Sequence, residues 1–175
     1  MISMLTKNTV KARGFQQAQT TIRLANILVP IDFSPESKSA LRYAAAFARQ
    51  FGAALTLVHV VKPIVCSADF GYGPVNRCSP DKNLLKKAKA RLGRLEKSLS
   101  SSGLKTSFSL RTGGIESEIV ETARDLKIDL IIMGTRGECG KGVTIDSTAE
   151  KIVHHAPCPV FVVRRKEHEL LHCCE

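Results

Sequence analysis

A glycine-rich stretch in the last third of the chain has the composition of an anion-binding loop. An apolar run at 129–133 leads into it, and Ser147, with Glu150 three residues later, forms a capping box at its end. Four glycines fall within nine residues, at Gly134, Gly137, Gly140 and Gly142. Glycine allows close backbone approach, and exposed N–H groups before a helix N-terminus can hold phosphate oxygens. The stretch predicts a phosphate-binding loop, or alternatively a strand-to-helix connection that binds nothing.

A second candidate group is Asp32, which directly follows the first apolar strand at 26–31. Ligands of open α/β sheets bind beyond the carboxyl ends of parallel strands, where the strand order reverses. A carboxylate at one strand end can accept a ribose hydroxyl while a glycine loop at another holds phosphates. The two features together favour a nucleotide. The alternative for Asp32 is a second cap on the helix that follows Ser34.

Strands and helices alternate along the chain and would position these groups. Apolar runs typical of strands lie at 26–31, 54–61, 129–133 and 160–163, and an alternating pattern at 105–111 indicates a further strand. Helical patterns lie between them, beginning near 35, 81, 115 and 147, and the segment 63–80 reads as irregular. This alternation predicts one α/β domain with a parallel sheet and right-handed crossovers. The domain is expected at 25–165, between a basic N-terminal extension at 1–24 and a C-terminal tail at 166–175.

The chain of 175 residues carries a formal charge of +10, and the excess is concentrated in two places. The first 31 residues contain four cations and no acid, and residues 82–97 contain seven cations against Glu96. Such charge favours anionic partners, whereas a solvated helix face is the alternative for the second cluster. Aromatic residues do not interleave with the cations, so nucleic acid is an unlikely partner.

Cysteine usage and hydropathy indicate a cytoplasmic protein that does not insert into a membrane. The six cysteines include no C-x-x-C pair, and no apolar run approaches the roughly 20 residues of a membrane helix. His59, inside the second strand, is expected to be a core histidine with a hydrogen-bond partner. No metal site is expected, although His168, His172, Cys173 and Cys174 in a helical tail could form one.

The sequence resembles the universal stress protein family in four motifs that occur in order. They are ILVPIDFS at 27–34, LVHV at 57–60, IIMGTRG at 131–137, and 147–164 with its HAPCPV core. The resemblance implies a doubly wound five-stranded parallel sheet of order 3-2-1-4-5 with helices on both faces. It also implies a cytoplasmic stress-response role and, in one branch, ATP binding. Family members are usually homodimers through the last strand, here Val160, Phe161, Val162 and Val163.

The resemblance further implies a set of residues around an adenine nucleotide (ATP, ADP or AMP). Base and ribose would be met by Pro30, Ile31, Asp32 and Val60. Ribose and phosphates would be met by Met133, Gly134, Arg136, Gly137, Ser147 and Thr148. No catalytic residues stand out, so at most slow ATP hydrolysis is expected.

The chain departs in two ways from the family's ATP-binding pattern, which has Gly-x-x-Gly, nine residues, and then Gly-Ser or Gly-Thr. Here eight residues follow Gly137, and the next position is Asp146 instead of glycine. A carboxylate there would repel phosphates, although a bridging Mg²⁺ could offset the repulsion. The alternative function is therefore a dimeric interaction module that binds no nucleotide, and a basic binder of nucleic acid or anionic surfaces ranks below it.

Overall fold

The structure is a computed structural model that describes residues 21–65, 77–78, 81–135 and 147–164. Its strands are β1 (Asn26–Pro30), β2 (Ala54–Val61), β3 (Ile64–Val65), β4 (Arg77–Cys78), β5 (Thr106–Thr112), β6 (Leu130–Gly134) and β7 (Val160–Val163). Its helices are α1 (Pro35–Phe51), α2 (Lys82–Ser101), α3 (Ile115–Asp125) and α4 (Ser147–His155). The predicted C-terminal tail and all but the last residues of the N-terminal extension lie outside the described residues.

Five strands form one parallel sheet in the order β5-β2-β1-β6-β7. Counted along the chain within that sheet, this is the order 3-2-1-4-5, and the predicted fold class is confirmed. Strand β1 pairs with β2 through Val29 and Leu57 and with β6 through Leu28 and Ile131. The strand order reverses between β1 and β6. Parallel α/β sheets bind ligands beyond the carboxyl ends of such a pair.

Both faces of the sheet are covered, which explains why β1 is apolar at successive positions. Ile27, Leu28 and Val29 have no exposed surface. Because side chains alternate across a strand, Ile27 and Val29 join the core beneath α1 and α2. Leu28 joins the core beneath α3 and α4, together with Ile119 and Ile152. A strand buried on both faces has no polar side to give an alternating pattern.

The structure departs from the sequence prediction in the segment 63–80. Its two ends pair as a two-residue antiparallel ladder, Ile64 with Cys78 and Val65 with Arg77. The register of β6 also continues one residue further than expected, because Gly134 pairs with Val163 of β7. In the described part of the chain, no helix combines the length and the apolar character needed to cross a membrane.

Candidate functional site

Asp32 and Ser34 form the turn that joins strand β1 to helix α1. Ser34 is the N-cap of α1, and its hydroxyl oxygen accepts a hydrogen bond from the Ser37 N–H at 3.1 Å. The same hydroxyl donates to Asp32 Oδ1 at 2.6 Å, and the Ser34 N–H donates to that oxygen at 3.0 Å. Asp32 therefore supports the cap residue, which is close to its predicted alternative role, and its carboxylate also lines a cavity.

Phe33 lies between these two residues in the left-handed backbone region, with a φ of 68°. This conformation is unusual for an aromatic residue and persists only where the surroundings hold it. The Phe33 ring contacts the His59 ring, with 4.9 Å between their centroids. The guanidinium carbon of Arg91 lies 3.8 Å from the Phe33 centroid on the ring face. These contacts hold Phe33 between strand β2 and helix α2.

His59 links the carboxyl ends of the two neighbouring strands. Its Nδ1 lies 2.5 Å from the Ile31 carbonyl oxygen. Because that oxygen can only accept, Nδ1 carries the hydrogen. The prediction of a hydrogen-bonded histidine is correct, but the ring is only partly buried and forms part of a cavity wall.

A cavity of about 120 Å³ lies at the carboxyl ends of β1, β2 and β6, beside α3 and α4. Seven of the ten predicted binding residues line it, namely Pro30, Ile31, Asp32, Val60, Met133, Gly134 and Thr148. Ser147 begins helix α4 next to Thr148 and is exposed. Arg136 and Gly137 lie outside the described residues, as does Asp146. The cavity thus gathers residues from four separate sequence motifs.

Sequence reasoning missed part of the cavity wall, including Ser37, His59, Ile115, Ile119 and Ile152. Ile115 and Ile119 are spaced as one face of helix α3, which reads as ordinary core packing. They reach the cavity because the crossover from β5 to β6 places α3 over the sheet beside the point where the strand order reverses. A topological model drawn from the sequence could have found them.

Gly134 has a packing reason that is independent of any ligand. A Cβ atom at this position would lie 3.0 Å from the carbonyl carbon and the Cβ of Glu36, closer than real Cβ atoms ordinarily approach. The end of β6 therefore packs directly on the first turn of α1. The first glycine of the predicted phosphate loop is needed by the fold itself.

The first turn of helix α4 supplies one border of the cavity. Thr148 is half-buried there, and Ala149 and Ile152 continue the wall along the helix. The first N–H groups of a helix lack partners within it, and the helix dipole favours negative charge at this end. Among the described residues, no group of three or more His, Cys, Asp or Glu side chains is arranged to hold a metal ion.

The fold and the cavity define a doubly wound α/β protein with a ligand cleft where the strand order reverses. Residues 24–164 match the model of the universal stress protein family, and the chain belongs to that family. A universal stress protein of Methanocaldococcus jannaschii is 32% identical over 145 residues, covering 82% of this chain and 84% of the relative.

Solved structures agree with this assignment. The universal stress protein UspA from Lactobacillus plantarum has a TM-score of 0.65 at 27% identity, covering 82% of this chain and 100% of that one. A universal stress protein from Archaeoglobus fulgidus, solved in complex with dAMP, has a TM-score of 0.58 at 22% identity and covers 81% of this chain and 98% of its own. The second likeness shows the shared fold alone.

Proposed function

We propose that this protein binds an adenine nucleotide in the cavity between β1 and β6 and acts as a regulatory protein of the stress response. The observation that carries the proposal is the convergence of Pro30, Ile31, Asp32, Val60 and Met133 on one cavity. The dAMP complex of the Archaeoglobus protein supports the ligand class, since it is an adenine nucleotide bound to a protein of the same fold.

The base is assigned to the apolar part of the cavity. Val58, Ile115, Ile119 and Met133 offer aliphatic surface there, as small-molecule sites generally do around a few polar groups. Asp32 is assigned to the ribose, because a carboxylate is an acceptor for hydroxyl donors. Ser34 holds Asp32 by two hydrogen bonds to the same oxygen, so the carboxylate is already oriented before a ligand arrives.

The phosphates are assigned to the first turn of α4. Ser147 and Thr148 provide hydroxyl groups, and the backbone N–H groups of this turn together with the helix dipole attract anions. Gly134 also lines the cavity and offers a backbone without a side chain there. Arg136 and Gly137 complete the proposed site, with Arg136 as a bidentate phosphate ligand.

The test is calorimetric titration of nucleotide-stripped protein with AMP, ADP and ATP, with and without Mg²⁺. The variant Asp32→Asn keeps an acceptor for Ser34 and removes the charge. We expect it to lose about tenfold or more in affinity, because hydrogen bonds to charged groups contribute about 1.5–3 kcal/mol. The matched control is Asp125→Asn, which makes the same charge change at an exposed position near the far end of α3.

Saturable binding that depends on Asp32 and not on Asp125 supports the proposal. Absence of binding by all three nucleotides would favour the interaction module instead. Equal affinities in both variants would remove Asp32 from the site.

Asp146 decides which nucleotide is held. Two like charges about 4 Å apart at an effective dielectric near 20 repel by on the order of 4 kcal/mol. We therefore expect AMP or ADP to bind no worse than ATP when Mg²⁺ is absent. Asp146→Gly should raise ATP affinity several-fold and change AMP affinity less. An unchanged ATP affinity in this variant would show that the Asp146 carboxylate points away from the phosphates, leaving the shortened loop as the determinant.

A further inference from the structure

The cations of helix α2 fall into two sets when they are placed on the structure. Lys87, Arg91 and Arg94 have the spacing i, i+4 and i+7, which brings them to one face of the helix. That face borders a cavity of about 380 Å³ whose wall also includes Asp32, Phe33 and His59. The other cations of the sequence cluster, Lys82, Lys86, Lys89 and Lys97, do not line it.

A second cavity, of about 260 Å³, continues the first toward helix α1. It shares Phe33, Arg91 and Arg94 with the first and adds Lys38 and Ile31. We call the combined surface the basic groove, defined by Phe33, Lys38, Lys87, Arg91 and Arg94. Lys38 lies on α1, and the other three cations lie on α2, at least 49 positions later in the sequence, so the fold assembles the groove.

Arg91 is positioned by Phe33 and remains able to bind a ligand. Its guanidinium carbon lies 3.8 Å from the Phe33 centroid, which is a cation–π contact. Phe33 has no oxygen or nitrogen acceptor in its side chain, so this contact makes no conventional hydrogen bond with the five N–H donors of the guanidinium group. Arg91 is exposed, so these donors are accessible from solvent.

The charges of the groove are unbalanced. Among the described residues that line the two cavities, Asp32 is the only acid against Lys38, Lys87, Arg91 and Arg94. None of these four cations forms an ion pair with another described residue. Cations gathered around a concavity create a positive potential that attracts anions.

We propose that the basic groove binds phosphate groups of a small molecule, at a site beside the nucleotide cavity. Arginine forks match phosphate oxygens bidentately, and lysine adds a point charge. The groove is concave, and Phe33 is the only Phe, Tyr or Trp among the described residues that line it. Arg91 lies over the Phe33 ring, so these residues offer no row of rings for stacking the bases of a nucleic acid. The cavity of about 380 Å³ is of the size that small ligands occupy.

The phosphate group belongs either to a separate molecule or to the nucleotide in the adjacent cavity. Asp32 and His59 line both the 380 Å³ cavity and the 120 Å³ cavity, so the two sites are adjacent. The proposal concerns the phosphate chemistry that these two sources share. It does not depend on the nucleotide assignment, because inorganic tripolyphosphate can be tested alone.

The experiment is calorimetric titration with tripolyphosphate at fixed ionic strength. The groove variant is the double substitution Arg91→Gln and Arg94→Gln. The matched control is Lys89→Gln and Lys97→Gln, which removes two cations from the same helix outside the groove. We expect affinity to fall about tenfold or more in the groove variant and less than about twofold in the control.

A second measurement guards against misfolding of the groove variant. Lys87→Gln with Arg94→Gln leaves the Phe33–Arg91 contact in place and should also weaken tripolyphosphate binding. Thermal unfolding should show tripolyphosphate raising the melting temperature of the wild type more than that of either groove variant. Equal losses in groove and control variants, or no saturable binding by the wild type, would overturn the proposal.

The source of the phosphate is separated by repeating the titration with AMP-saturated protein. Unchanged tripolyphosphate affinity assigns the groove to a separate molecule. Competition assigns the groove to the phosphates of the bound nucleotide and would overturn their assignment to the first turn of α4. Failure of AMP to bind would count against the proposed function and leave the tripolyphosphate result standing. Arg91- and Arg94-dependent binding of a single-stranded oligonucleotide, with no tripolyphosphate binding, would overturn the small-molecule assignment.

Discussion

Gly134 ends strand β6 at the point where the first turn of helix α1 approaches it. The chain needs a residue without a side chain here because the Glu36 backbone occupies the space of a Cβ atom. The same bare backbone forms part of the proposed phosphate site. Glycine at this position therefore meets the packing requirement and also leaves the backbone accessible to the proposed phosphate.

We expect Gly134→Ala to lower the free energy of unfolding by about 1–3 kcal/mol, because the new methyl group overpacks a backbone contact. Urea denaturation measures this free energy. Gly93→Ala is the matched control, since a Cβ there would meet Phe108 Cε1 at an ordinary 3.9 Å. Gly93 lies inside helix α2, so alanine should raise the free energy by up to about 1 kcal/mol. A Gly134→Ala protein as stable as the wild type would contradict the packing argument.

The Cys158 thiol is expected to be unreactive in the folded protein. Burial raises the pKa of Cys158, the nearby Asp129 charge adds to the rise, and a hydrogen bond with the Ile131 backbone opposes it. The thiolate is the nucleophile, so alkylation slows as its fraction falls. Peptide mass spectrometry after iodoacetamide treatment at neutral pH should show slow labelling of Cys158 in native protein and fast labelling in guanidinium. Equal rates would mean that the side chain is accessible and ionised normally.

The contribution of Cys158 to the free energy of unfolding changes with pH in a definite direction. Below the ordinary thiol pKa, the folded and unfolded chains both hold the Cys158 proton. Above it the unfolded chain loses that proton first, so the contribution of Cys158 to stability declines as pH rises.

At the scale of elements, the N-terminus of helix α1 connects stability to the proposed site. Ser34 is 3% exposed, caps the helix through Ser37 and donates its hydroxyl hydrogen to Asp32. Helix α2 has a simpler cap, in which Asp81 accepts from the Asn83 N–H at 2.8 Å on an exposed surface. Both caps use a side-chain oxygen that accepts from a backbone N–H of the first turn, but Ser34 is buried and Asp81 is exposed.

Ser34→Ala should lower the unfolding free energy by about 1–3 kcal/mol, and Asp81→Ala by about 1 kcal/mol. The larger cost arises because Ser34→Ala also leaves Asp32 without its hydroxyl donor. Nucleotide affinity should fall in Ser34→Ala and stay unchanged in Asp81→Ala, as measured by the same calorimetry. If both variants keep full affinity, the turn from Asp32 to Ser34 does not orient the ligand.

Elements built from local pattern were predictable, whereas features built by distant pairing were not. Strands β2 and β7 agree with the sequence prediction at both ends, because each is a mainly apolar run that is followed directly by a cation, Lys62 or Arg164. The ladder of β3 and β4 depends on two segments meeting, which no local pattern signals. The roles of Phe33 and His59 were likewise not predictable from the sequence. They depend on the left-handed backbone of Phe33, on the contact between the two rings and on the contact of Phe33 with Arg91.

At the scale of the whole molecule, the sheet has two edge strands with different surroundings. β5 forms one edge and contains Thr106, Ser107 and Ser109. β7 forms the other edge and is apolar throughout, with the Phe161 ring 5.6 Å from the Phe47 ring and 6.0 Å from the Tyr43 ring. An apolar edge strand with unpaired backbone groups is a template for another strand. The family resemblance predicts that a second copy of the chain covers it.

We predict a homodimer that pairs through β7, with each copy presenting the same strand in an isologous interface. Light scattering at micromolar concentration should give the mass of two chains. Val162→Lys should yield monomers, because the half-buried Val162 would place a charge in the apolar contact. Ser107→Lys adds the same charge to the opposite edge strand and should leave the mass unchanged. Circular dichroism confirms that both variants fold. A wild-type monomer at these concentrations would contradict the predicted dimer. A Val162→Lys variant that stays dimeric would mean that the dimer contact does not lie at β7. In either case a different segment or partner would have to cover the apolar edge strand.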